Sequence, residues 1–331
     1  MFSEVKAMSV DLSIIIVNWN TRDMLADCLR SIEENRDDLN LEIIVVDNAS
    51  HDGSGKMVEE SFPNVNLIHA GGNLGFAKAN NLAKWRVRAP LVLFLNPDTE
   101  VRKGTLKAMT YIFREDRAVA AVGCKIRDEH GVIQDLPSQW RLSAVHIGVE
   151  MVFLSEFTMN VIRKIIPHHD PEISGHVSRL YGACLMVDRQ ILDDIGWFDE
   201  RFFMYCEDVD LCHRIGLKGR RLYYTADHEI MHLIGGASRK EPSTRSYLIM
   251  LEARKKLLEK YYGYIGILYF KSIVFINAHL RLFLLSIFMM VMVVLKIESK
   301  TIRKGACGRY VQAIRWCVKS RCPDSGISSG V

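Results

Sequence analysis

Five consecutive apolar residues, Leu91 to Leu95, run directly into Asn96-Pro97-Asp98. A run of that length between helical patterns fits a strand covered on both faces, as in a parallel α/β sheet. Pro97 cannot donate to a ladder, so it ends the strand and leaves Asn96 and Asp98 at its carboxyl end. Ligands of open α/β sheets bind just beyond the carboxyl ends of strands. A carboxylate there suits Mg2+ or Mn2+ carrying a diphosphate. The plainer reading of Asn-Pro-Asp-Thr is a turn in which Asp98 caps the next element, and these four residues leave both readings open.

The preceding residues narrow the fold. Ser13 to Val17 reads as a first strand with a polar exit at Asn18-Trp19-Asn20-Thr21. Met24, Leu25, Cys28, Leu29 and Ile32 recur at helical spacing. Leu41 to Val46 is a second strand that leads into Asp47-Asn48-Ala49-Ser50, and Val65 to His69 is a third. The loop Gly71-Gly72-Asn73-Leu74-Gly75 then opens a helix through Ala77, Ala79, Asn80 and Ala83. This β-α-β-α-β-α-β alternation is a nucleotide-binding α/β half. A dinucleotide-binding domain needs Gly-x-Gly-x-x-Gly directly after its first strand. Here that position is Asn18-Trp19-Asn20, which argues against a dehydrogenase.

Beyond Asp98 the pattern predicts a helix from Lys103 to Asp116 and a strand from Ala118 to Lys125. Residues 127–179 are less periodic, with Pro137, Pro167, Pro171 and loop histidines at His168-His169, and read as an inserted, substrate-facing region. Tyr181 to Val187 returns to strand character. A helix starts at Glu207 and closes at Gly219, and a strand near Leu222 to Thr225 precedes His228 and His232.

A chain of 331 residues can bury a substantial core in one large or two ordinary domains. The formal net charge of +4 neither demands nor excludes nucleic acid. Eight cysteines without disulfide-scaffold density read as buried thiols of a reducing compartment. Cys206 and Cys212-His213 lack a second ligand pair at zinc spacing. Ile14 to Val17 is too short for a signal-peptide core.

Glu207, Asp208 and Asp210 crowd one helix start. Capping and the helix macrodipole explain acids there. A carboxylate facing the crevice could equally take a proton from a sugar hydroxyl as general base. The spacing leaves both open.

Six ordered segments carry a resemblance: Ser13 to Asn20, Val46 to Ser54, Asn73 to Ala77, Leu95 to Asp98, Gly182 to Val187 and Phe198 to Leu211. Together they resemble the family 2 inverting glycosyltransferases, particularly the bacterial rhamnosyltransferase-like branch, over Leu12 to Ser238. The resemblance implies an α/β GT-A fold with a mostly parallel central sheet and a nucleotide-sugar donor. Asn18, Asn20, Asp47, Asn48, Asn73, Gly75, Phe76, Asn80 and Asn96 would bind that donor. Asp98 and His232 would hold Mg2+ or Mn2+, with Asn96 standing where many relatives carry the first Asp of Asp-x-Asp. Asp208 would be the catalytic base, Glu207 and Asp210 would orient the helix start or contact the acceptor, and Trp197 would pack in the core or else offer an apolar face to an acceptor sugar. The implied reaction moves L-rhamnose from a dTDP donor to a saccharide or lipid-linked acceptor. A galactofuranosyl or other hexosyl transferase is the alternative, and a non-catalytic glycan-binding scaffold is the rival of another class.

The resemblance divides the chain into a transferase domain at 11–240, amphipathic and apolar helices at 241–300 and a basic, poorly ordered tail at 301–331. Ser243 to Tyr262 reads as a basic helix. Tyr264 to Ile297 is dominated by large apolar residues, interrupted by Lys271, Asn277, His279 and Arg281. Its uninterrupted part, Leu282 to Leu295, is short for a bilayer span. One or two helices lying in the membrane interface fit it better. The cations beyond it, Lys296 to Arg321, suit an anionic cytoplasmic leaflet rather than nucleic acid. The expected location is the cytoplasmic face of the inner membrane.

Overall fold

The computed structural model describes residues 10–134, 142–144, 147–148, 169–233, 244–294 and 302–318. The chain divides into two compact units, Met1–Leu142 with Arg163–Lys240, and Ser143–Ile162 with Glu241–Val331.

The first unit begins with the alternation anticipated from the sequence. Strands β1 (Leu12–Asn18), β2 (Leu41–Asp47), β3 (Asn66–His69) and β4 (Leu91–Leu95) pair in parallel in the order β3-β2-β1-β4. Helices α1 (Arg22–Glu34), α2 (Ser54–Ser61) and α3 (Phe76–Leu82) join them. Successive side chains of a strand point to opposite faces, so a strand between two helical layers is apolar throughout. Leu12, Ile14 and Ile16 of β1 pack with Leu25, Leu29 and Ile32 of α1. Ile15 and Val17 pack on the other face with Ala77, Ala79 and Ala83. The chain moves outward from β1 to β3 and then returns to place β4 on the far side of β1. The order reverses between β1 and β4, which opens a crevice at their carboxyl ends.

The rest of the sheet is mixed. Strands β5 (Thr99–Val101), β6 (Val119–Arg127), β7 (Gly175–Val177), β8 (Cys184–Asp188) and β9 (Arg221–His232) complete the order β3-β2-β1-β4-β8-β6-β9-β5, with β7 on β9. Here β4, β6 and β9 bring in antiparallel neighbours, while the pairing of β6 with β9 is again parallel. β8 runs antiparallel to β4 with Cys184 opposite Leu95. The residues just before β8 therefore lie at the same sheet edge as the end of β4. β9 continues well past the Thr225 limit expected for it, because β5 pairs with its end and places Thr99 opposite His232. Helices α4 (Thr105–Glu115), α5 (Arg189–Ile195) and α6 (Glu207–Leu217) cover this half. Most of the expected insertion, with Pro137, Pro167 and His168, lies outside the described residues. His169 bonds through Nε2 to the Ile173 carbonyl at 2.6 Å, as a loop histidine does.

In the second unit, α7 (Thr244–Val294) is a 51-residue helical stretch broken at Gly263, whose backbone is left-handed at φ 59°. The break falls where the basic pattern gives way to the apolar one. By length and composition, Thr244–Ile287 is able to cross a membrane. Ile302–Val318 forms α8, although the sequence reading places it in a poorly ordered tail. Its order has a packing cause. Ala313 and Trp316 are buried, and Trp316 meets Phe270 of α7 edge-to-face at 6.2 Å and donates to Glu252. The two cationic interruptions of α7 turn toward α8. Lys271 lies over the Trp316 ring, and Arg281 bonds to Asn277 and the Tyr310 hydroxyl. Tyr264, Ile265, Ile276, Phe283, Leu284 and Met290 remain exposed.

Candidate active site

At the ends of β1 and β2 the polar residues bind one another. Asn18 is fully buried, donates to Asp47 and Ser50, and accepts from the Thr21 hydroxyl. Asn20, at φ 55°, accepts from the His51 amide and donates its own to Ser50. Asn48 donates to Asn73 Oδ1 and the Gly75 carbonyl and accepts from the Leu74 amide at 2.8 Å. These bonds tie the glycine-rich loop to the end of β2. Asn80 is buried on α3, where Nδ2 bonds the Phe76 carbonyl and Oδ1 has no partner. Asn18 and Asn48 thus shape the loops from within.

The loop that carries the acids closes onto the same region. The Phe76 amide donates to the Phe203 carbonyl at 2.6 Å. Gly75 sits at φ 80°, and a Cβ there would stand 2.2 Å from that carbonyl, so the approach requires glycine. Asn81, which sequence reasoning passes over, clamps the Phe198 backbone by both amide and carbonyl. Phe198 then packs on Phe94 of β4 at 4.6 Å.

The acids themselves divide. Asp210 is fully buried and paired with Arg214 at 2.7 Å, and Arg214 also bonds the carbonyls of Ile195, Gly196 and Trp197. Trp197 is 5% exposed, meets Phe94 edge-to-face and donates to Asp193. Asp210 and Trp197 both lie in the packing beneath the loop, which is the core role weighed for Trp197 and places Asp210 with the helix start. Tyr205 and Cys206 precede α6 with φ of 70° and 69°, a strained pair for residues bearing a Cβ. They turn the chain so that Glu207 is buried while Tyr205 and Met204 stay exposed.

Asp208 accepts from the Gly182 amide at 3.0 Å and the Val209 amide at 2.7 Å. Burial holds its carboxyl above the ordinary range, against the opposing pull of Arg179 and those amides. Glu207 has a buried Oε2 with no partner, and burial with the neighbouring Asp208 charge pushes its pKa up to about 8. Near neutrality Glu207 therefore keeps its proton. Arg179 and Gly182 join the site through this contact. Gly182 belongs to one of the six ordered segments, whereas nothing in the spacing marks Arg179.

A second cluster lies at the end of β4. His232 Nε2 is 3.2 Å from Asp98 Oδ1 and 3.4 Å from Asn96 Nδ2. The Leu233 amide donates to the Asp98 carbonyl at 2.8 Å, which locks β9 beside the turn. No group of three or more His, Cys, Asp or Glu converges among the described residues. The available set is one carboxylate oxygen and one imidazole nitrogen, which fits a divalent cation whose other positions are filled by diphosphate and water.

One short segment joins the two clusters. The Tyr181 ring meets His232 edge-to-face at 6.4 Å, the Gly182 amide binds Asp208, and the Ala183 carbonyl accepts from the Asn96 amide. Asp208 thus touches this segment directly, and Asp98, 110 positions away in the sequence, reaches it through His232.

Comparison with known proteins agrees with this geometry. The model of the family described as Glycosyl transferase family 2 matches residues 13–196. An N-acetylglucosaminyl-diphospho-decaprenol L-rhamnosyltransferase of Mycobacterium tuberculosis is 29% identical over 224 residues, covering 61% of this chain and 69% of that protein. Rhamnosyltransferase WbbL of Escherichia coli is 28% identical over 226 residues, covering 66% and 82%. Among solved structures, mannosyltransferase PcManGT from Pyrobaculum calidifontis, in complex with GDP-Man and Mn2+, matches with a TM-score of 0.57 at 16% identity, covering 95% of this chain and 89% of that one. GalNAc-T7 with UDP, GalNAc and Mn2+ matches at 0.54 and 14%, covering 77% and 52%. At those identities the likeness is one of fold, and the fold is GT-A.

Proposed function

The chain belongs to glycosyl transferase family 2, and from that premise we propose an inverting transferase that moves L-rhamnose from a dTDP donor to a lipid-linked saccharide. The observation that carries the reaction type is that Asp208 binds the Gly182 amide while Asp98 reaches the neighbouring Tyr181 through His232. It supports a diphosphate-side carboxylate and a base-side carboxylate serving one crevice.

Asp208 takes the proton of the acceptor hydroxyl as that oxygen bonds to the anomeric carbon. The bond from that carbon to the diphosphate oxygen breaks on the opposite side, and its electron pair leaves with the diphosphate. A single displacement inverts the configuration. A base whose pKa is raised toward the working pH is better matched to this transfer. The proton kept by Glu207 withholds a second negative charge from beside Asp208. The loops held by Asn18, Asn20, Asp47, Asn48 and Asn73 receive the nucleoside, and Gly75, Phe76 and Asn80 close beside it. Asp98 and His232 would hold Mg2+ or Mn2+, which supplies charge neutralisation for the departing diphosphate. Tyr181 and Tyr205, both exposed, offer ring faces to an acceptor sugar.

The rhamnose assignment follows the two rhamnosyltransferase relatives. The second unit supports a membrane-surface location at the cytoplasmic face. Lys271 and Arg281 in the apolar part of α7 turn to α8, which leaves exposed apolar residues to enter a lipid interface. A panel of nucleotide sugars, scored by thermal stabilisation with Mn2+ and then by transfer to a lipid-linked acceptor, tests the reading. The largest rise in Tm is expected with dTDP-rhamnose, since a ligand of the native state stabilises it. Stabilisation by a different hexose donor alone would replace the sugar, and donor binding without transfer or hydrolysis would favour a scaffold.

A further inference from the structure

We propose that Gln134 fixes the tautomer of His232, turning its Nε2 lone pair toward Asp98 and so completing the cation seat. The inference rests on the reading that Asp98 and His232 hold a divalent ion.

The nitrogen of a side-chain amide only donates, and its oxygen only accepts. Gln134 Nε2 donates to the backbone carbonyl of His232 at 2.8 Å. That contact orients the amide and leaves Oε1 facing the ring, 2.7 Å from Nδ1. Two acceptors do not bond, so Nδ1 carries the hydrogen. In the neutral ring Nε2 is then a bare acceptor, aimed at Asp98 Oδ1. Two facing acceptors repel unless a positive centre is shared between them, and the Asn96 amide nitrogen meets that need only in part at 3.4 Å. Metal-bound histidines commonly show this pattern, with the second ring nitrogen donating to a fixed oxygen.

Gln134 is not needed to place His232 along the chain. β5 holds His232 opposite Thr99, and the Leu233 amide binds the Asp98 carbonyl. The Gln134 segment is itself anchored by its own amide on the Ile126 carbonyl at 2.9 Å. What the Gln134 side chain adds is the ring's orientation and protonation pattern, which makes it a positioning residue.

The test uses the full chain and the variants Gln134→Leu, Gln134→Glu and His232→Ala. A long-range proton–nitrogen spectrum of the metal-free protein reads the tautomer. Electron paramagnetic resonance with dTDP present reads Mn2+ affinity. Wild type is expected to show the Nδ1–H form. Gln134→Glu keeps an acceptor oxygen for Nδ1 but loses the donor to the His232 carbonyl, so it should retain that form with an affinity between those of wild type and Gln134→Leu. Gln134→Leu should lose the form and bind Mn2+ about 10–100-fold more weakly, and His232→Ala should be at least as weak. An Nε2–H ring in wild type overturns the inference. So does unaltered Mn2+ affinity in Gln134→Leu where His232→Ala has lost it. Unaltered affinity in His232→Ala instead removes the underlying metal reading.

Discussion

The asparagine-rich end of the crevice and its acidic end are both buried, yet they treat their polar groups in opposite ways. Asn18 and Asn48 spend their hydrogen bonds on neighbouring loops, with Asp47, Ser50, Asn73, Leu74 and Gly75 as partners. At the acidic end Glu207 keeps an unpartnered oxygen, Asp208 is held above its ordinary pKa, and His232 faces a carboxylate. A buried polar group without a partner is costly, so it persists where something else selects it. The first end is built for shape and the second for chemistry. Asp210 marks the border: it has the sequence signature of the acids but is spent on Arg214 and the packing below.

Three substitutions press on that contrast. Asp208→Asn removes the base while preserving volume, and should lower the transfer rate by about 10²–10⁴ with donor-induced Tm shifts unchanged. Equal loss of donor binding would move Asp208 to the shaping end. Asn48→Ala should act the other way. It strips the partners of the Leu74 amide and the Gly75 carbonyl, at a cost of about 2 kcal/mol, read from urea unfolding, and weakens donor binding more than kcat. A fall confined to kcat would break the division.

The smallest effect is a pH trend. The Glu207 carboxyl stands at about 8 in the folded chain against an ordinary 4.5. Between those values the folded chain keeps a proton that the unfolded chain has released. Its contribution to stability is therefore full at low pH and falls as pH rises from about 4.5 to about 8. Glu207→Gln has no such proton to lose. Denaturation midpoints across that window should decline more steeply in wild type than in Glu207→Gln. Parallel declines would show Glu207 to be an ordinary carboxylate.

Much of the fold is legible in the sequence because its signals are local. β4 is apolar throughout, β1 and β2 carry the apolar runs Ile14–Val17 and Ile43–Val46, and α1 repeats its apolar face each turn. β5 and β7 escape such a reading because three residues carry no periodicity, and they exist through pairing with β9. Ile302–Val318 escapes it for a similar reason. Its cations and glycines say nothing of Trp316, whose burial against Phe270 gives the helix its partner.

The order of strands and helices, and the acids at their ends, were determined by sequence alone, since periodicity, turn chemistry and proline placement act over a few residues. Which acid faces the crevice was decided only in three dimensions. Asp208 and Asp210 are two positions apart on one helix. One turns to the Gly182 amide at the crevice and the other to Arg214 in the core. Burial and charge are properties of what lies across from a side chain, and that neighbour comes from a distant part of the chain.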